Sequence, residues 1–175
     1  LGDTTTALAL WRRYVEVEPR AERRAEVELT LTRVLSEDTG DLAGAVEQLA
    51  KVIEHSPDDL ALHERMVGLA TRAGDFTRVA SSLREMGRLR GSGPERARDE
   101  LRLAAVLRDK VRDKAAARLA LDRGRKADPL NLEVIRELAD LLEAGPRAQL
   151  LASAAARRCR AVAAAGRPAL TASAP

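Results

Sequence analysis

Aromatic residues, cysteine and histidine are scarce in these 175 residues, and each shortage removes a class of protein. Aromatics make up 2% of the chain, namely Trp11, Tyr14 and Phe76, against 45% hydrophobic residues. A core made of Leu, Val and Ala suits closely packed helices, and no stretch shows the alternation of a strand. Cys159 is the single cysteine, so no internal disulfide forms and nothing points to an oxidising compartment. The longest uncharged run is nine residues, 148–156, too short to span a bilayer.

Catalytic and metal-binding patterns are equally sparse. His55 and His63 flank Pro57 with no cysteine nearby. His63-Glu64 begins like a zinc-protease helix, but Val67 stands where the second histidine ligand belongs. Asp58-Asp59 follows a proline and reads as helix capping rather than a cation site. Gly91-Ser92-Gly93-Pro94 lacks the Lys-Ser/Thr of a phosphate loop and reads as a flexible joint, with Pro94 opening a helix. Ser56, Ser81 and Ser82 have no readable histidine and carboxylate companions. The expectation is a non-enzyme without metal or cofactor.

What the chain does have is an internal repeat. An offset of 72 residues lays Arg24, Ala25, Glu28, Leu29 and Leu31 on Arg96, Ala97, Glu100, Leu101 and Leu103. The same offset lays Val34, Leu35, Asp41, Ala45 and Leu49 on Val106, Leu107, Asp113, Ala117 and Leu121. Within each block one anchor recurs at helical steps of four and three residues, closed by a proline. It reads Ala7, Trp11, Tyr14, Pro19; then Ala45, Leu49, Val52, Pro57; then Ala117, Leu121, Gly124, Pro129. Val79, Leu83 and Met86 form a further copy, with Gly91 in the place of proline. Asp41, Asp75 and Asp113 stand as N-caps of the anchor helices, and Asp59 and Asn131 as N-caps of the helices that follow the prolines. The spacing therefore predicts an all-α solenoid of antiparallel helical hairpins, about nine helices in all.

A hairpin of about 34 residues with small residues at the helix crossing and a closing proline resembles the tetratricopeptide repeat. The resemblance covers residues 1–143. His63 and Leu101 occupy its signature tryptophan position, Arg112 replaces an inter-helix glycine, and two repeats are about four residues longer, which predicts an extra turn on the first helix. The resemblance implies a superhelix whose first helices line a concave, protein-binding face. The matching positions are Thr30, Val34 and Glu37, then Glu64, Gly68, Thr71 and Arg72. They continue as Arg102, Val106, Asp109 and Lys110, and end with Arg136 and Asp140.

Charge is unevenly spread. Residues 144–175 hold five arginines and no acid, so the net charge of +3 leaves residues 1–143 at −2. The high isoelectric point belongs to the tail, and a nucleic-acid reading of the repeats has no basis. Residues 144–165 read as an Ala/Arg-rich helix, placed to be the last hairpin's second helix, and 166–175 as a disordered tail. Arg157, Arg158 and Arg160 would hold nucleic acid only non-specifically. The chain opens inside a second-helix pattern without its first helix, which is expected of a segment of a longer array. Two readings compete: a scaffold binding a peptide or protein along the concave face, and a self-associating spacer within such an array. A cytoplasmic location is the expectation.

Overall fold

The computed structural model describes residues 2–142, which form eight α-helices and no strand. In chain order these are α1 (Gly2–Val17), α2 (Ala21–Glu37), α3 (Leu42–His55), α4 (Leu60–Ala73), α5 (Phe76–Leu89), α6 (Pro94–Val106), α7 (Lys114–Ala127) and α8 (Leu132–Leu141). Helix α6 continues through a five-residue π turn, Leu107–Val111. The packing runs between neighbours in sequence, α1 on α2 through to α7 on α8, which makes the molecule a one-dimensional stack. The ninth helix expected within 144–165, the tail 166–175 and Arg157, Arg158 and Arg160 lie outside the described residues.

Five helices, α3, α4, α5, α7 and α8, start where a side chain takes over an orphan backbone donor, whereas α2 and α6 have no side-chain cap. Asp41, Asp75 and Asp113 accept from the N–H groups of Gly44, Arg78 and Ala116 at 2.8, 3.0 and 2.8 Å. Asp59 accepts from Ala61 at 2.8 Å, and Asn131 from Glu133 and Val134 at 3.2 Å. Each such cap contributes about 1 kcal/mol. All five caps fall where the spacing predicts them.

The anchor residues form the core. Ala45, Leu49 and Val52 of α3, Val79, Leu83 and Met86 of α5, and Ala117, Leu121 and Gly124 of α7 are all buried. Gly124 is closely surrounded: a Cβ there would lie 3.3 Å from Glu100 Cβ, 3.4 Å from Val134 Cγ1 and 3.5 Å from the Ala97 carbonyl oxygen. Three helices meet at this residue, and its missing side chain lets α6 and α8 approach α7 closely. In α1 the same anchor carries Trp11 and Tyr14, and there both rings are exposed.

The extra turn lies on the first helices, as the repeat lengths predict: α2 has 17 residues against 14 in α4, and α6 adds its π turn to 13. The glycine-rich segment between α5 and α6 differs from the expected flexible joint. Gly91 and Gly93 take positive φ of 71° and 102°, and the Gly93 N–H donates to the Ala127 carbonyl at 3.1 Å. That bond ties the turn to the end of α7, and α5 packs directly on α6.

The turn after the π segment places Arg112 at φ 66°, the one non-glycine residue with positive φ among the described residues. Gly40 and Gly74 hold the corresponding turns of the earlier hairpins at 71° and 77°. Arg112→Gly is expected to relieve this strain and stabilise the protein by about 1 kcal/mol, a rise of about 2–4 °C in melting temperature. Gly124→Val is expected to cost about 2 kcal/mol by overpacking the three-helix junction. Thermal and urea unfolding measure both.

Candidate protein-binding face

The first helices of consecutive hairpins, α2, α4, α6 and α8, carry the residues assigned to the concave face, and arginines bridge them in pairs. Arg72 of α4 donates Nη2–H to the Ser36 carbonyl of α2 at 3.4 Å. Arg102 of α6 grips Glu64 of α4 with two bonds, Nη2 to Oε1 at 2.8 Å and Nη1 to Oε2 at 3.1 Å. Arg108, in the π turn, bonds Glu137 of α8 and also Asp109, at 2.8 Å from Nε and 3.2 Å from Nη2. Arg102 lowers the Glu64 pKa from its usual value, by hydrogen bonding first and charge second, against a desolvation penalty. Arg108 does the same to Asp109. A lowered carboxylate pKa means the Glu64 rung contributes fully above the ordinary carboxylate range and fades as pH falls through the lowered value.

These bridges divide the expected binding residues. Glu64 and Arg102 satisfy each other, and Asp109 is held by Arg108. Lys110 places Nζ 5.1 Å from the Phe76 ring centroid, a cation–π contact. Thr30 donates its hydroxyl to the Glu26 carbonyl at 3.0 Å. Arg136 and Asp140 are exposed on α8, and Asp140 borders a second hollow with Arg108, Lys114 and Arg118. The expected face residues thus lie along one row of helices, but no single pocket among the described residues gathers them.

One cleft does gather several. Between α2 and α4 lies a hollow of about 350 Å³ whose floor is Leu29, Leu49 and Leu69. Arg33, Arg65 and Arg72 line it, with Glu37, Ser36 and Thr32. Gly68 keeps the middle open, since a Cβ there would meet nothing within 4 Å. Of the expected face residues, Glu37, Gly68 and Arg72 are here. Arg33 pairs with Glu37 only at 3.9 Å, and Arg65 has no acidic partner among the described residues. Sequence reasoning missed Arg33 and Arg65. Arg65, Gly68 and Arg72 stand at steps of three and four, and that spacing was the available signal.

Beneath this face lies a buried ionic layer that sequence reasoning also missed. Asp99 and Glu100 of α6 are 2% and 3% exposed. Asp99 accepts from Arg90 Nε at 2.6 Å and Arg102 Nη1 at 3.4 Å. Glu100 Oε1 accepts from Arg123 Nε of α7 at 2.8 Å, with Arg96 Nε 3.9 Å away. Gly87 of α5 and Gly124 of α7 leave room for this carboxylate from either side.

The histidines take structural places. His63 is buried with Nε2 2.8 Å from the Pro57 carbonyl oxygen, and His55 is exposed with Nδ1 2.7 Å from the Lys51 carbonyl oxygen. Among the described residues no group of three or more His, Cys, Asp or Glu is arranged to hold a metal ion. No described helix is long and apolar enough to cross a membrane.

A stack of capped helical hairpins with small residues at the crossings defines a helical-repeat solenoid. Solved structures specify it further as a tetratricopeptide-like fold. A crystal structure of MamA superposes with a TM-score of 0.54 at 16% identity, covering 93% of this chain and 92% of that one. The nearly identical TPR-like repeats assigned to a kinesin light chain of Podosopora anserina superpose at 0.53 and 18% identity, covering 95% and 90%. No protein-family model and no curated protein matches the chain. At such identities the likeness is one of fold.

Two variants separate the buried layer from the surface. Arg123→Ala leaves Glu100 buried without its hydrogen-bonding cation and is expected to cost about 3 kcal/mol. Arg88→Ala removes an exposed partner of Asp58 and Glu85 and is expected to change stability by less than about 1 kcal/mol. Urea unfolding of the two variants checks the contrast.

Proposed function

We propose that this chain is a protein-interaction scaffold that receives a partner's peptide segment on its concave face, in the cleft between α2 and α4. The observation that carries this reading is three arginines around a leucine floor, opened by Gly68. Such a surface suits an apolar side chain flanked by carboxylates. The apolar group covers Leu29, Leu49 and Leu69, while the acids take charge-assisted hydrogen bonds from Arg33, Arg65 and Arg72. Arg65 has no acidic partner to give up among the described residues, and Arg72 would exchange only a 3.4 Å bond to a carbonyl. Glu64 and Arg102 would have to break two good bonds, so in this reading they hold the helices in place rather than touch the partner. Glu37 at the rim would disfavour segments of excess negative charge and set the register.

Fluorescence anisotropy with a labelled peptide of central leucine and flanking aspartates tests the reading. Binding is expected to fall about tenfold or more in Arg65→Glu and Arg72→Glu, a loss of about 1.4 kcal/mol or more. A peptide with lysines in place of the aspartates should bind no better than the charge-reversed variants do the acidic one. Unchanged affinity in both variants sinks the assignment of this cleft.

A further inference from the structure

The fold uses only one nitrogen of the His63 ring. Nε2 lies 2.8 Å from the Pro57 carbonyl oxygen. A carbonyl only accepts, so Nε2 carries the hydrogen and Nδ1 is the lone-pair atom of the neutral ring. His63 is 5% exposed, and its Nδ1 is buried without a hydrogen-bond partner. A buried acceptor in that state is costly, and the repeat shows that packing does not require it. Leu29, Leu101 and Ile135 stand at the position of His63 in α2, α6 and α8.

His63 lines a hollow of about 140 Å³ among α3, α4 and α5. Ile53 and Met66 form its apolar part, and Arg78, Ser81 and Ser82 of α5 complete it. With Nε2 committed to the loop, Nδ1 is the polar atom the ring has left to offer there. Neither serine makes a side-chain hydrogen bond among the described residues. Thr30, Thr32 and Thr71, by contrast, return their hydroxyls to the carbonyl four residues earlier. One lone pair and two hydroxyls therefore converge on a volume equal to roughly five waters or one compact organic group.

The charges around the hollow select the ligand. Arg78 is already matched, with Nε 3.2 Å from Asp75 Oδ2 and Nη2 3.9 Å from Glu47 Oε1. A carboxylate would compete with those acids and face the Nδ1 lone pair. An ammonium group would meet Arg78 as a like charge, and no acid lines the hollow. A neutral group that both donates and accepts fits all of the partners. We propose that this hollow is a binding site for a primary carboxamide. The amide N–H donates to His63 Nδ1, the amide oxygen accepts from a serine hydroxyl, and the carbon stem lies against Ile53 and Met66. The site shares no residue with the cleft between α2 and α4.

His55, the only other histidine and an exposed one, is an internal control. The test follows the imidazole nitrogens of the full chain by NMR at mildly alkaline pH while isobutyramide is added, with isobutyrate and isobutylamine in parallel. The free chain is expected to show His63 in the Nε2–H form. Isobutyramide should move its Nδ1 signal saturably, with a millimolar dissociation constant, and leave His55 unmoved. The acid and the amine should bind at least about tenfold more weakly, and Ser82→Ala should weaken amide binding about fivefold. His63→Leu installs the residue found in α2 and α6; it should keep the fold and abolish binding, read from the methyl carbons of Ile53 and Met66. N-acetylglutamine methylamide separates the two sources of the group. If it binds more tightly than isobutyramide, the ligand is a glutamine side chain; if more weakly, it is a free small amide, and both uphold the site. A hydrogen on Nδ1 in the free chain, equal binding of the acid or amine, or binding that survives His63→Leu overturns the proposal. So does equal movement of His55, or a titration that never saturates, which leaves water as the occupant.

Discussion

Every inner helix of this protein has apolar side chains on more than one face, and each face must be covered by a neighbour. Small residues where helices cross make that double covering feasible. Ala45, Ala97 and Ala117 are fully buried, and Gly124 is pressed between α6 and α8. With few aromatics to fill space, the backbones themselves have to come close. The stack, the spacing of its first helices and the width of the cleft all follow from that approach.

Charge then fixes what packing leaves loose. Leucine and alanine surfaces slide past one another at little cost, whereas a bidentate guanidinium and carboxylate pair has one geometry. Arg102 sets α6 against α4 through such a pair with Glu64, and a single bond from Arg123 to Glu100 ties α7 to α6. The buried members of these pairs are costly to desolvate and weak as a source of net stability. Their effect is on register: with Asp99 and Glu100 adjacent and pointing at different arginines, a slipped helix would leave a buried acid without its cation.

Much of the scaffold was legible in the sequence because it rests on local chemistry. Asp41, Asp59, Asp75, Asp113 and Asn131 announce helix starts wherever they occur before an apolar period, and they cap helices here. The anchors could be read because a buried stripe keeps its steps of three and four. The ionic layer could not, since Asp99-Glu100 in a charged stretch reads like any solvated helix surface. Nor could the contents of the concave face: a row of matching positions does not say which arginines are already paired. Glu64 and Arg102 proved mutually engaged, while Arg65, one step away from the expected row, stands open in the cleft.

Packing that runs mainly between sequence neighbours also shapes how the molecule comes apart. Among the described residues no extensive packing joins helices distant in sequence, so a single hairpin can form before distant segments are in place, which favours rapid assembly. The interior, where α6 is gripped by α5 and α7, holds the deepest side chains, such as Leu103, Asp99 and Leu121. Amide protons of α6 and α7, covered from both sides, therefore exchange with solvent more slowly than those of the exposed turns. A segment seated between α2 and α4 would act as a doorstop on that opening, slowing exchange in helices it never touches.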